Sequence, residues 1–254
     1  MEVHAVKDDG KPTLTILWPA MDAVVNSPNV VVKLSVGRNI GGHMLYRTTD
    51  LSGPHSVVDP GEGYAEGKVE VTLDGQLCHA IADPVNPLEL RNLPPGNHTL
   101  QAFVLKSTDE SYKNEGAFKM VTFTVTGAGY ISPATSGRAP VLTSPFQCLA
   151  PAPGRDPIDP KKPLLLYNRP LGDNERDSIM IDFWILNAKL KGDGGDFRVR
   201  YFIDDDEARY IDKWEPIWLN GWTPGKHSVR LELLGADQYP VKNGIVTREI
   251  TVVR

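Results

Sequence analysis

Six histidines, two cysteines and 32 acidic residues are the groups with which this 254-residue chain could build acid–base, nucleophilic or metal chemistry. Metal binding needs ligands spaced so that they converge on one point. His4, His43, His55, His79, His98 and His227 show neither a His-x-His nor a His-Glu-x-x-His spacing, and Cys78 and Cys148 belong to no Cys-x-x-Cys pair, so a zinc site is not expected. The runs Asp193-Gly194-Gly195-Asp196 and Asp204-Asp205-Asp206-Glu207 offer the oxygen ligands that calcium prefers, yet neither follows the twelve-residue loop pattern, and both read as solvated turns. A Gly-x-Ser-x-Gly elbow, a Ser-x-x-Lys pair and a Gly-x-x-x-x-Gly-Lys phosphate loop are all absent. No spacing singles out one pair of carboxylates for glycoside hydrolysis. The expectation is a protein that is not an enzyme and takes no cofactor.

The elements that carry these residues are strands. The 23 glycines and 21 prolines punctuate short apolar runs instead of clustering in one low-complexity block. In Val30 to Val36 the even positions Val30, Val32, Leu34 and Val36 are apolar while Lys33 and Ser35 point the other way, the period of a half-buried strand. Val69, Val71 and Leu73 alternate with Glu70 and Thr72, and Val121, Phe123 and Val125 alternate with Thr122 and Thr124. No helical stripe of useful length accompanies them. With 41% hydrophobic and 23% charged residues the composition is that of a globular chain, and no apolar run reaches the length of a membrane helix. A net charge of -5 argues against nucleic acid as a partner.

The chain also repeats itself. Leu93-Pro94-Pro95-Gly96-Asn97-His98-Thr99-Leu100 matches Trp222-Thr223-Pro224-Gly225-Lys226-His227-Ser228-Val229 at an offset of 129 residues. Val69 to Gly75 lies opposite Val199 to Asp205, and Lys113-Asn114-Glu115-Gly116 with the strand ending Phe123-Thr124-Val125 parallels Lys242-Asn243-Gly244 with Ile250-Thr251-Val252. His98 and His227 fall in phase with the inward residues of their strands, and their recurrence points to a structural role, a ring nitrogen bonding a nearby backbone group. The expected organisation is a tail at 1–11, a β unit at 12–127, a proline-rich connector at 128–160 and a second β unit at 161–254. Each unit has about seven strands, which needs two stacked sheets to bury the alternating faces.

The opening Trp18-Pro19-Ala20-Met21-Asp22-Ala23-Val24-Val25-Asn26-Ser27-Pro28-Asn29-Val30 and the Pro-Gly-x-His-[Thr/Ser]-[Leu/Val] turn of both halves resemble immunoglobulin-like and fibronectin type III-like modules of bacterial exported proteins and lipoproteins. The resemblance implies an all-β fold of two antiparallel sandwiches joined by a long Pro-rich connector. It also implies an extracytoplasmic location: periplasm, cell surface or secreted. Such modules serve adhesion, carbohydrate binding, enzyme accessory roles and scaffolding, so the fold does not choose the activity. The antibody Cys…Trp…Cys pattern is absent. Cys148 in the connector and Cys78 after a strand of the first unit are either a disulfide, pinning connector to domain, or two buried thiols.

Two features stand out as interaction surfaces. In Trp214-Glu215-Pro216-Ile217-Trp218-Leu219 the repeat offset sets Trp218 on Glu89, an outward position, with Trp214 beside it on the same strand face and Tyr210 approaching. Exposed aromatics with a polar tip suit protein interfaces and sugar stacking. Between its second and third strands the first repeat spends residues 37–68, including His43, Tyr46, Arg47 and Tyr64, where the second repeat uses a short turn. The expected function is a non-catalytic binding or structural subunit that docks on partner proteins. The alternatives are polysaccharide recognition by the tryptophan face and an accessory domain of a hydrolase. Any association with a membrane would be peripheral, through a partner or a removed lipid anchor.

Overall fold

The computed structural model describes residues 10–40, 43–48, 68–74, 78–82, 84, 86–130, 147–148, 158–175, 178–204 and 206–253, with backbone alone for 38–40, 43–48, 78–82 and 147–148. The chain is all-β, and its contacts divide into two compact units. The division is not one cut in the sequence. Unit 2 holds Pro151–Arg254 together with Asp74–Gln76 and Thr108–Lys113, while unit 1 holds the rest of the first 150 residues. The Pro-rich connector at 128–160 falls largely outside the described residues.

Unit 1 is built from β1 (Thr13–Trp18), β2 (Ala23–Val25), β3 (Val30–Ile40), β4 (His43–Thr48), β5 (Val69–Leu73), β6 (Cys78–Ala82), β7 (Leu88–Leu90), β8 (Gly96–Val104), β9 (Phe118–Val125) and β10 (Gln147–Cys148). One sheet runs β1-β3-β4 with β7 also on β3, and the other runs β10-β6-β5-β8-β9-β2. Alternation decides which side chains go inside. Val30, Val32, Leu34 and Val36 of β3 are buried, as are Val121, Phe123 and Val125 of β9, in the phase their sequence implies. β5 departs from it, because Glu70 and Thr72 are buried as well as Val69, Val71 and Leu73. The far side of this sheet is therefore also covered at β5 and the adjoining β8, where Thr72 donates to Gln101 Oε1 at 2.9 Å and both are buried.

Unit 2 contains β11 (Leu164–Arg169), β12 (Asp173–Asn174), β13 (Ile179–Leu186), β14 (Arg198–Ile203), β15 (Arg209–Ile211), β16 (Ile217–Leu219), β17 (Gly225–Leu234) and β18 (Pro240–Val252). The pairing order is β15-β14-β17-β18-β11-β13-β16. The link between β18 and β11 is a single parallel pair, Leu164 with Asn243, and the strands on either side of it face each other across one core as two layers. Leu165, Tyr167, Ile181 and Phe183 from one layer and Val199, Ile211, Leu231 and Ile250 from the other fill one core, as an immunoglobulin-like or fibronectin type III-like sandwich requires.

The repeat holds in register, residue for residue. Gly96, Asn97 and His98 pair with Val125, Thr124 and Phe123, and Gly225, Lys226 and His227 pair with Val252, Thr251 and Ile250. The two turn glycines share a left-handed φ, +132° and +135°, where a Cβ would be strained. Each first strand breaks register just before its proline, between Ile16 and Trp18 and between Tyr167 and Arg169. What differs is the connection before the last strand. Leu105 to Ala117 in the first repeat replaces the five residues from Gly235 to Tyr239 in the second, and the extra residues include the segment Thr108–Lys113 that belongs to unit 2.

Candidate binding surface

The outward face of β14, β15 and β17 is built by alternation. Val199, Tyr201, Ile211, Leu231 and Leu233 point into the core, so Arg198, Arg200, Phe202, Tyr210, Arg230 and Glu232 point away from it. Register sets them in rows: Tyr210 beside Arg200 beside Glu232, then Phe202 beside Arg230. Arg198 lies over the Tyr210 ring at 4.3 Å, and the Phe202 ring takes both Arg200 at 5.5 Å and Arg230 at 5.2 Å. Guanidinium planes stack well on aromatic faces, and the stacking holds long side chains in place.

Beneath them Glu232 is fully buried although it faces outward. Arg200 donates from Nε to Glu232 Oε2 at 2.7 Å, and Arg230 donates from Nη2 to Glu232 Oε1. At the edge Arg198 grips Asp212 with two parallel bonds, Nε to Oδ1 at 2.7 Å and Nη2 to Oδ2 at 2.8 Å. Those bonds hold the Asp212 carboxyl below its ordinary range. Three guanidinium groups face two carboxylates, so this patch is net positive on an acidic chain.

Trp218 lies elsewhere. It sits in the middle of β16, opposite Met180, and is half exposed, while Ile217 and Leu219 pack against the core. Its counterpart Glu89 stands opposite Val31 in β7, so the outward position inferred from the repeat is the one it occupies. Trp214 is not its neighbour on a strand face. β16 begins three residues later, and the Trp214 ring packs edge-on against Trp184 at 4.7 Å with its Nε1 donating to the Phe183 carbonyl at 3.2 Å. Tyr210 and Trp218 are on the two end strands of the pairing order, so they do not share a face. In unit 1, residues 37–68 begin as a hairpin, with His43, Tyr46 and Arg47 on β4 opposite Ile40, Gly37 and Val36. Tyr64 lies outside the described residues. Cys148 stands directly opposite Cys78 between β10 and β6.

Both repeated histidines bond to the carbonyl four residues back. His98 Nε2 donates to Pro94 O and His227 Nε2 to Thr223 O, each at 2.8 Å. His227 Nδ1 also meets Asp204 Oδ2 at 2.8 Å, so both of its ring nitrogens face acceptors and the imidazolium is favoured. A second buried carboxylate, Asp182 of β13, is enclosed by unit 2. It accepts from Ser111 N and Ser111 Oγ at 2.8 Å, from Asn168 Nδ2 at 2.5 Å and from Lys113 Nζ at 2.5 Å. The Arg-aromatic rows and the Asp182 cluster escaped sequence reasoning. The alternation Arg198-x-Arg200-x-Phe202 and Arg230-x-Glu232 is the signal that could have found the first; nothing local announces the second.

No family model and no curated protein matches the chain. Solved structures similar to it include the fibronectin(III)-like modules of Clostridium thermocellum CbhA, at 11% identity and TM-score 0.28 over 94% of both chains. Dimeric latent PorU from Porphyromonas gingivalis aligns at 14% identity and TM-score 0.27, covering 98% of this chain and 21% of that one. The mixed-linkage glucan protein SGBP-B of Bacteroides ovatus, in complex with a heptasaccharide, aligns at 10% identity and TM-score 0.25 over 94% of this chain and 70% of that one. TM-scores this low carry neither ligand nor partner over to this chain.

Proposed function

We propose that this protein is a non-catalytic, extracytoplasmic binding or structural subunit that docks on a partner protein through the outward face of β14, β15 and β17. The observation that carries the reading is the row of stacked Arg198, Tyr210, Arg200, Phe202 and Arg230 side chains. Arginine and tyrosine are enriched at protein interfaces, and ordering them before contact lowers the entropy lost on binding. Its excess positive charge suits a partner surface that mixes carboxylates with apolar groups. The carboxylates that unit 2 buries are each held by cations, Asp182 by Lys113 and Glu232 by Arg200 and Arg230, and Asp182 also accepts from the Ser111 N–H, bonds that serve the structure of the unit. In unit 1 the β3–β4 hairpin, with His43, Tyr46 and Arg47, offers a further contact.

The test is cross-linking in native cells followed by mass spectrometry. Wild type should give cross-links from this face to one partner, and the double substitution Arg198→Ala with Tyr210→Ala should abolish them without unfolding the protein. Cross-links unchanged by that pair would overturn the reading. A second reading is favoured by one observation, the half-exposed Trp218. If polysaccharide is the ligand, soluble glucans will shift tryptophan fluorescence and Trp218→Ala will remove the response.

A further inference from the structure

We infer that Cys78 and Cys148 form an intramolecular disulfide that fastens the two-residue strand β10 to the edge of the larger sheet of unit 1. The inference goes beyond the binding surface and does not depend on it. It rests on register. β10 and β6 run antiparallel, and Cys148 stands directly opposite Cys78 while Gln147 stands opposite His79. Direct partners in an antiparallel pair have Cα atoms about 4.5 or 5.5 Å apart, depending on the pair type. Both separations lie in the range of about 4.4–6.8 Å that a disulfide spans. Opposed residues also project to the same side of the sheet.

The surroundings point the same way. β10 is the end strand of the order β10-β6-β5-β8-β9-β2, so among the described residues it pairs with β6 alone. Two residues of ladder are too few to hold a strand against the entropy of the chain on either side. A covalent bond across the pair would supply what those few hydrogen bonds do not. The chain has no third cysteine, so only one intramolecular pairing exists. The bond forms by thiol–disulfide exchange with a small disulfide oxidant. One cysteine thiolate attacks the oxidant and expels one thiol, then the second attacks the mixed disulfide and expels the other. The two cysteines lose two electrons and two protons, and the oxidant is reduced to two thiols.

The full-length protein, purified without reductant and equilibrated in a buffer of oxidised and reduced glutathione, decides the matter. Thiol titration after denaturation should find none of the two cysteines reactive, and the intact mass should fall by about 2 Da relative to reduced protein. A protease digest should yield one cross-linked peptide joining Cys78 to Cys148, which reductant dissolves. Cys148→Ser should leave one reactive thiol and lower the thermal midpoint to that of the reduced wild type. Two thiols alkylated at full stoichiometry in the oxidising buffer, or a disulfide that joins two chains on a non-reducing gel, would overturn the inference. Titration and mass are read on the unmutated chain, so a failure of the variant to fold does not remove the test.

Discussion

At the scale of single residues, the twin histidines show one contact used twice and elaborated once. The bond from Nε2 to the carbonyl four residues back orients both rings, and Asp204 adds a carboxylate to one of them. The hydrogen bond to Asp204, then the Thr223 carbonyl, raise the His227 pKa above 6.5. For Asp204 burial pushes upward, but the Ser228 N–H and the His227 ring outweigh it and hold the carboxyl below 3.8. A raised histidine stabilises the fold fully below its unfolded pKa and loses that contribution as pH climbs through the folded value. A lowered aspartate contributes above its unfolded pKa and loses it as pH falls through the folded one. The pair therefore acts in mildly acidic solution. Unfolding of unit 2 should occur at a higher temperature near pH 5.5 than near pH 8, by at most about 1 kcal/mol because Asp204 is half exposed, and Asp204→Asn should flatten the difference. Tyr167 offers an independent check. Its hydroxyl is buried with no hydrogen-bond partner among the described residues, and burial pushes its pKa far up. Tyr167→Phe removes that unsatisfied group and keeps the ring under Arg248, so calorimetry should show stability unchanged or raised by about 1 kcal/mol.

At the scale of elements, the arginine-aromatic rows are stability and surface at once. Glu232 is buried by the side chains that neutralise it, so Arg200→Ala should leave the carboxylate short of one cation and expose the Phe202 ring. Denaturant titration should show a loss of about 2 kcal/mol, less than for a wholly interior pair because Arg230 remains and is partly in water. How far such elements are legible in sequence depends on whether their cause is local. The buried faces of β3 and β9 follow from alternation alone, and the turn before β8 and β17 follows from its repeated Pro-Gly-x-His. The burial of Glu70 and Thr72 does not, since it depends on what covers a sheet face from elsewhere. The Arg198-x-Arg200-x-Phe202 alternation is visible, but its pairing with Glu232 requires a register between strands some thirty residues apart. Alternation carried upstream past Pro216 does not place Trp214, because β16 begins only at Ile217.

At the scale of the whole molecule, the sequence repeat and the compact unit are different divisions. Repetition groups Thr108–Lys113 with the first copy, whereas packing assigns it to unit 2. The reason is Asp182. A carboxylate with no exposure must be matched by donors and a cation, and β11 and β13 supply only the Asn168 amide. The cation is Lys113, whose Nζ also donates to Ser111 Oγ and to the Phe183 carbonyl, both at 2.6 Å. A fragment beginning at residue 151 contains every strand of the second sandwich but strips Asp182 of its cation and of both Ser111 donors, leaving the Asn168 amide alone beside the charge. It should be less stable than unit 2 in the full chain by about 3–5 kcal/mol, the usual consequence of stripping one partner from a buried pair. Lys113→Ala in the full chain should reproduce most of the loss. Asp182→Asn in the same background should recover part of it, because a neutral amide no longer requires the cation, and a double-mutant cycle should report the coupling. Equal unfolding midpoints for the fragment and for unit 2 in the intact protein would mean that Thr108–Lys113 rests on the sandwich without completing it.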